Sequence, residues 1–317
     1  MAPYLLRRLL AGAPVLLLVS VLVFGAVRIL PGDVCRLVLQ SPDADVDQAT
    51  CAAIRRNLGL DRPLVEQYFN WVGGVFTGDF GKSLISQRDV LQEIRERMYV
   101  TVELAILSGA FALLIGLLIG VYSALKQDKP ADFILRILSI GWLSMPNFWI
   151  ATLLITFPAI WWGYRAPVQF RHLWESPLTN LEQLALPAIS IGLSLSATLA
   201  RMTRSSMLEV LRQDYVRTAR AKGLRGRTVV YRHALKNAML PVVTLLGLQV
   251  GVLLSGTVIL ETIFGLPGLG TLLLTSVQLK DYTQVQGLVL FFAVAVLLIN
   301  IAVDVSYAWL DPRVRFA

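Results

Sequence analysis

Six stretches of this chain run for about 20 residues without a charged side chain, the length a helix needs to cross a bilayer: 9–27, 104–125, 137–163, 183–200, 237–260 and 282–303. In lipid, each unsatisfied backbone N–H or C=O is costly, so runs of this kind fold as helices. The expected fold is therefore all-α, an integral membrane protein with six transmembrane helices. Composition agrees, since the chain is 56% hydrophobic and only 16% charged, well below the quarter or so of charged residues in soluble domains. Pro146 and Asn147 interrupt the third run, where a kink is expected. A seventh uncharged stretch, 262–279, contains Gly265, Pro267, Gly268 and Gly270. These residues break helices, so it reads as a structured outer or re-entrant segment rather than a span.

Charge sets the orientation. Between Arg201 and Lys236 lie ten Lys/Arg and two acids, Glu209 and Asp214. Such a basic loop between spans stays on the cytoplasmic side. Arg7 and Arg8 precede the first run and Arg313 and Arg315 lie in the tail, so both termini are expected in the cytoplasm. The first run is long and no small-x-small cleavage site follows it, so it reads as an uncleaved anchor. The chain then divides into residues 1–30, an N-terminal end with the first span; residues 31–98, an extracytoplasmic helical region; and residues 99–317, a core with the other five spans and the 201–236 loop. The outer region is near charge balance, with eight basic and ten acidic residues. Its 43–76 stretch has helical periodicity broken at Pro63. Cys35 and Cys51, the only cysteines, both fall there. In an oxidising compartment they form either a disulfide or two buried thiols.

Catalytic constellations are missing. Gly81-Lys82-Ser83 resembles the end of a phosphate-binding loop, but the glycine required five residues earlier is Phe76. Gly192-Leu193-Ser194-Leu195-Ser196 lacks the closing glycine of a nucleophile elbow. Two histidines, His172 and His233, and two cysteines are too scattered for a metal site. The basic residues sit beside spans, so the pI of 9.7 reports membrane orientation and not a nucleic-acid partner. Polar residues within spans carry a functional hypothesis by default. Ser144, Asn147 and Gln249 are the candidates for a translocation path, with helix-to-helix hydrogen bonding as the alternative. Gly116/Gly120 and Gly247/Gly251 are small-x-x-x-small pairs that permit close helix packing.

The basic loop reads DYVRTARAKGLRGRTVVYRHALKNAMLP from Asp214 to Pro241. It resembles the cytoplasmic signature loop of ABC importer permeases of the dipeptide/oligopeptide/nickel branch. Arg217-Thr218-Ala219 takes the Glu-Ala-Ala place, and Gly223 the glycine place. His233-Ala234-Leu235-Lys236 stands at the Ile-x-Leu-Pro place. The R-T-A-R-A-K-G form is similar to the peptide branch. So are Pro31-Gly32-Asp33, Gly78-Asp79-Phe80-Gly81-Lys82-Ser83, Ser144-Met145-Pro146-Asn147-Phe148-Trp149 and Asp311-Pro312-Arg313-Val314-Arg315.

The resemblance implies a type I ABC importer permease fold in a bacterial cytoplasmic membrane. It implies a non-catalytic subunit that moves peptides, with a nickel or metal-chelate permease as the alternative. The implied partners are a second, homologous permease, two ATPase subunits that hold ATP and Mg, an extracytoplasmic substrate-binding protein and the peptide itself. No cofactor is expected on this chain. Tyr215, Arg217, Thr218, Ala219, Arg220, Lys222 and Gly223 are the implied ATPase-coupling residues.

Overall fold

The computed structural model describes residues 2–29, 48–57, 59–165, 167 and 169–310, and these are helical almost throughout. Among the described residues there is no strand, only one antiparallel bridge between Lys82 and Asp89. The chain opens with α1 (Ala2–Ile29), α2 (Gln48–Asn57), α3 (Leu64–Thr77) and α4 (Val90–Leu125). Next come α5 (Pro130–Ser144), α6 (Asn147–Trp162), α7 (Pro177–Leu211) and the short α8 (Asp214–Ala221). One α-turn (Gly226–Thr228) and a π-helical turn (Val229–Ala234) lead into α9 (Leu235–Gly256). The chain closes with α10 (Val258–Ile263), α11 (Leu269–Gln278) and α12 (Tyr282–Leu310).

Four helices are long and apolar enough to cross a membrane: Leu6–Ile29 of α1, α4, α7 and Tyr282–Val305 of α12. A fifth span results if α5 and α6 count as one, but they are bent by 99° at their junction. The described residues thus carry four or five such spans against the six expected. The remaining run, 237–260, falls on α9, which ends at Gly256, and on the six-residue α10. The expected kink at Pro146 is a full break. Proline has no N–H to give the ladder and forces the residue before it out of the helical region. Met145 is extended at φ −87°, ψ 129°, and Pro146 caps α6 at φ −61°, ψ 137°. In the 262–279 stretch, Gly265 at φ +64° follows α10, and α11 is only 10 residues long.

The chain divides into two compact units, Met1–Tyr99 with Pro267–Leu297, and Val100–Leu266 with Leu298–Ala317. In the first, Val90 and Ile94 of α4 pack with Leu269 and Leu272 of α11 and Leu288 and Phe292 of α12. Buried Asp281 caps α12, accepting from the Gln284 N–H (3.2 Å), the Leu84 N–H (3.1 Å) and the Ser83 hydroxyl. Ser83 of the Gly-Lys-Ser sequence is thereby a structural residue. As expected, Pro63 separates two short helices, α2 and α3. Cys51 lies on α2 and is disulfide-bonded. Cys35, Pro31-Gly32-Asp33, residues 43–47 and the closing 311–317 lie outside the described residues.

In the second unit, glycines set the helix spacing. A Cβ on Gly120 would meet the Ala200 carbonyl at 2.7 Å and the Thr203 Cβ at 2.5 Å, and one on Gly116 the Leu199 Cβ at 2.7 Å. A Cβ on Gly247 would clash with the Val303 side chain. α4 against α7 therefore packs at a distance that only missing side chains allow, as the Gly116/Gly120 pair suggested, whereas of the second pair Gly247 is tight against the Val303 side chain and Gly251 would meet only Ile299 at an ordinary 3.8 Å. Gly120→Val is expected to cost about 1–3 kcal/mol from overpacking. A lower thermal midpoint and less detergent-extractable folded protein would report it. Gly141→Ala, where a Cβ meets nothing within 4 Å, should leave both unchanged.

Candidate coupling loop and translocation-path residues

Helix α8 is short and strongly two-sided. Val216 and Ala219, one turn apart, are buried against Val229 of the π-turn and against Val210 and Leu211 of α7. The other face is exposed and carries Tyr215, Arg217, Thr218 and Arg220, followed by Lys222. The Thr218 hydroxyl donates to the Asp214 carbonyl at 2.9 Å, and Arg217 stands 3.3 Å from the Asp214 carboxylate. Arg217 is 72% exposed, so this pair adds little stability. Tyr215 is tied down differently: its hydroxyl accepts from the Asn237 amide of α9 at 2.7 Å. Of the seven coupling residues expected from sequence, only Ala219 faces inward; its methyl belongs to the anchor.

Gly223 ends the helix. Its N–H donates to the Arg220 carbonyl at 2.9 Å, and the Leu224 N–H to the Ala219 carbonyl at 3.4 Å. This paired closure is the Schellman motif, and it needs a left-handed residue at that point. Gly223 supplies it at φ +76°, a conformation costly for residues with a Cβ. The space around it is open, so a side chain there would stand on the exposed surface. The chain then turns along a basic patch, where Arg225, Arg227, Thr228, Tyr231 and Arg232 line a shallow depression of about 500 Å³.

The base beneath α8 is a second apolar cluster: Val121 and Ala124 of α4, Met207 of α7, Val230 and Ala234 of the π-turn, and Ala238 of α9. Beside it in sequence sits a buried ion pair. Asp132 of α5 has no solvent exposure and receives both arms of Arg204 from α7, at 2.9 and 2.7 Å. The Ser123 hydroxyl and the Asp128 N–H (3.1 Å) also donate to it, and Arg136 lies 3.6 Å away. Bidentate, charge-assisted bonds of this kind are the strong ones. Here they lock the start of α5 to α7 and to the end of α4.

The basic stretch 201–236, expected as a loop from its charge, is helical at its start. The structure continues α7 to Leu211 and starts α5 at Pro130. Arg201 and Arg204 are helical residues, and only 212–234 links the two long helices. The end of an uncharged run marks where charges begin, not where the helix stops. Glu261 of α10 is another buried carboxylate that its sequence position does not pair: it accepts from the Thr101 and Thr257 hydroxyls, each at 2.8 Å. The available signal was position, since a carboxylate closing an apolar run requires a partner.

The candidate path residues are partly brought together. Ser144 and Asn147 flank the break between α5 and α6. The Asn147 side-chain oxygen accepts from Ser194 of α7, while the Ser144 hydroxyl bonds back to the Ile140 carbonyl at 2.9 Å. Gln249 is half-buried on α9 and makes no hydrogen bond to either. Within the described residues no three His, Cys, Asp or Glu side chains are grouped as metal ligands.

These features define a polytopic helical membrane protein with a short amphipathic helix, α8, in the link between two long helices. Comparison gives the family. Residues 116–316 match the binding-protein-dependent transport system inner membrane component, and residues 1–105 match the N-terminal component of the same systems. The chain belongs to this family of inner membrane permeases. It is 41% identical over 316 residues to the glutathione transport system permease protein GsiC of Salmonella typhimurium, and 39% to that of Escherichia coli K12. In both cases 100% of each chain is covered. Among solved structures, an inward-facing MetNI methionine ABC transporter matches with TM-score 0.55 and 17% identity, over 70% of this chain and 97% of that one. An amino acid ABC transporter crystallised with histidines matches with TM-score 0.53 and 16% identity, over 69% and 94%. The fold is that of a type I ABC importer permease.

Asp132→Ala strands the Arg204 guanidinium and is expected to destabilise the protein by about 3–5 kcal/mol. Arg217→Ala, at an exposed pair, should stay within about 0.5 kcal/mol of wild type. Thermal unfolding of the two variants in detergent compares them directly, and equal midpoints would contradict the assignment of Asp132 as a structural lock.

Proposed function

We propose that this chain is the translocating permease subunit of an ATP-driven importer of small peptides, and that α8 is the element through which ATP hydrolysis reaches it. The coupling role rests on one observation: an eight-residue helix is bolted by its apolar face to α7 and the π-turn, while its polar face is exposed. A helix so anchored moves as a rigid body with the spans it adjoins. Closure of two ATPase subunits beneath it would push α8 and tilt α7 and α9. ATP and Mg belong to those subunits, and this chain contributes binding surface without catalysis.

The peptide assignment is supported by the full-length likeness to permeases named for glutathione, itself a small peptide. The metal-chelate alternative gains no comparable support. A second, homologous permease completes the pathway, and an extracytoplasmic binding protein delivers the cargo. The charge distribution supports a cytoplasmic side for 212–234 and both termini. Ser144, Asn147 and Gln249 are the proposed polar contacts along the path. A cavity of apolar and small polar groups suits cargo of varied sequence, because the binding protein supplies affinity. Cys35 is the proposed partner of Cys51 in the outer region.

Gly223→Asp is the test. Its added cost is about 1–2 kcal/mol for a left-handed backbone, too little to remove the protein from the membrane. The added side chain, however, stands on the docking surface. Uptake of labelled glutathione or dipeptide is expected to fall at least tenfold at wild-type expression, with basal ATPase activity retained. Normal uptake would overturn the coupling role.

A further inference from the structure

Helix α3 belongs to the region 31–98 that follows the first span, yet it is docked on the side of that span and not beyond its end. The Tyr68 hydroxyl lies 2.8 Å from the Ser20 hydroxyl of α1. Phe24 of α1 stands edge-on to Tyr68, with ring centroids 5.4 Å apart, and stacks on Trp71 at 6.2 Å. Nearer the end of the span, Arg28 Nε and Nη2 donate to the Gln67 side-chain oxygen at 3.1 and 2.8 Å. The apolar span runs from Leu6 to Ile29. At a rise of 1.5 Å per residue, Ser20 lies about 14 Å and Phe24 about 7.5 Å inside its Ile29 end. Within a turn of Ser20, α1 exposes Leu18, Val21 and Leu22, side chains that face lipid in a spanning helix. The contacts of α3 are therefore made at lipid depth.

Two lines of residues divide the outward side of α3. Val65, Phe69, Val72 and Phe76 recur at i, i+4, i+7 and i+11, so they share one stripe along the helix. Glu66, Asn70, Gly73 and Thr77 each follow by one residue and form a second stripe about 100° away. Val65, Phe69 and Phe76 are exposed, Phe76 at 87%, and Val72 is half-buried. All four residues of the polar stripe are exposed. Tyr68 and Trp71, which meet α1, are half-buried. The helix thus has a docked side, an apolar side and a polar side.

We propose that α3 is an interfacial membrane helix whose Val65, Phe69 and Phe76 enter the acyl chains of the leaflet at the Ile29 end of α1, while Glu66, Asn70 and Thr77 stay at the headgroups. A helix with one apolar and one polar stripe settles at this boundary, with its apolar face about 5–10 Å deep. Lipid is the occupant of the apolar stripe because the span on which α3 is docked fixes its depth, and the exposed face of that span at the same depth is itself apolar. Arg28 and the aromatic pair Tyr68 and Trp71 are the residue types that mark such a boundary. The inference rests on α1 being a span and is independent of the cargo and of the coupling role of α8.

Nitroxide labels at Phe69→Cys, Phe76→Cys and Asn70→Cys test this, each in the whole transporter complex in lipid nanodiscs without binding protein. Power-saturation EPR then compares collision with oxygen, which concentrates in lipid, and with a nickel chelate, which stays in water. The unsubstituted complex, treated in the same way, gives the background from native cysteines. All three positions are exposed, so the substitutions remove no buried contact. The oxygen-to-nickel accessibility ratio is expected to be severalfold higher at 69 and 76 than at 70. Ratios at 69 and 76 no higher than at 70 would put the face in water and overturn the proposal. Low accessibility to both reagents at 69 and 76 would mean protein cover and would overturn lipid as the occupant. The ratios report depth alone, so a loss of peptide uptake or of ATPase coupling would leave this result unchanged.

Discussion

Asp132 is a carboxylate with no solvent exposure, and the arrangement of the second unit depends on how its charge is met. Left alone, a buried carboxylate would cost several kcal/mol. Here Arg204 bonds both of its oxygens, and Ser123 and the Asp128 N–H take remaining lone pairs. The donors come from the end of α4, the turn after it and the C-terminal part of α7. Satisfying one charge therefore fixes three segments at once. The glycines at 116 and 120 add the second condition, since they let α4 and α7 approach to a distance no side chain would permit. Charge pairing and close packing together make a stiff base.

That stiffness matters to the coupling role proposed for α8. A short helix in a flexible loop would absorb a push from a partner, whereas α8 is seated through Val216 and Ala219 on α7 and the π-turn. Tyr215 adds a link to Asn237 at the start of α9. The left-handed turn at Gly223 then redirects the chain without a side chain to obstruct a docked protein. The exposed cations Arg217, Arg220 and Lys222 face outward because the two apolar positions, three residues apart, face in. The proposed docking face is the side of this two-turn helix that is not apolar.

Much of this was legible in the sequence, and the reasons are specific. Uncharged runs gave the helices because lipid leaves backbone groups no other partner. Pro63 and Pro146 marked real breaks because proline acts through its own covalent geometry. Helix ends were misjudged where a charge inside the helix had a distant partner: Arg204 and Asp132 are 72 residues apart. The same holds for Glu261 with Thr101. Pairings across long sequence separation are a property of the fold, and only the fold discloses them.

The central claim is that this permease converts ATP hydrolysis on partner subunits into peptide movement. The most direct measurement is the ATPase activity of the co-purified complex in lipid nanodiscs, with and without its binding protein and a peptide mixture. The account predicts that ATPase subunits co-purify and that peptide-loaded binding protein stimulates hydrolysis. Stimulation by a nickel-loaded binding protein and not by the peptide-loaded form, or failure of any ATPase subunit to co-purify under gentle conditions, would contradict it.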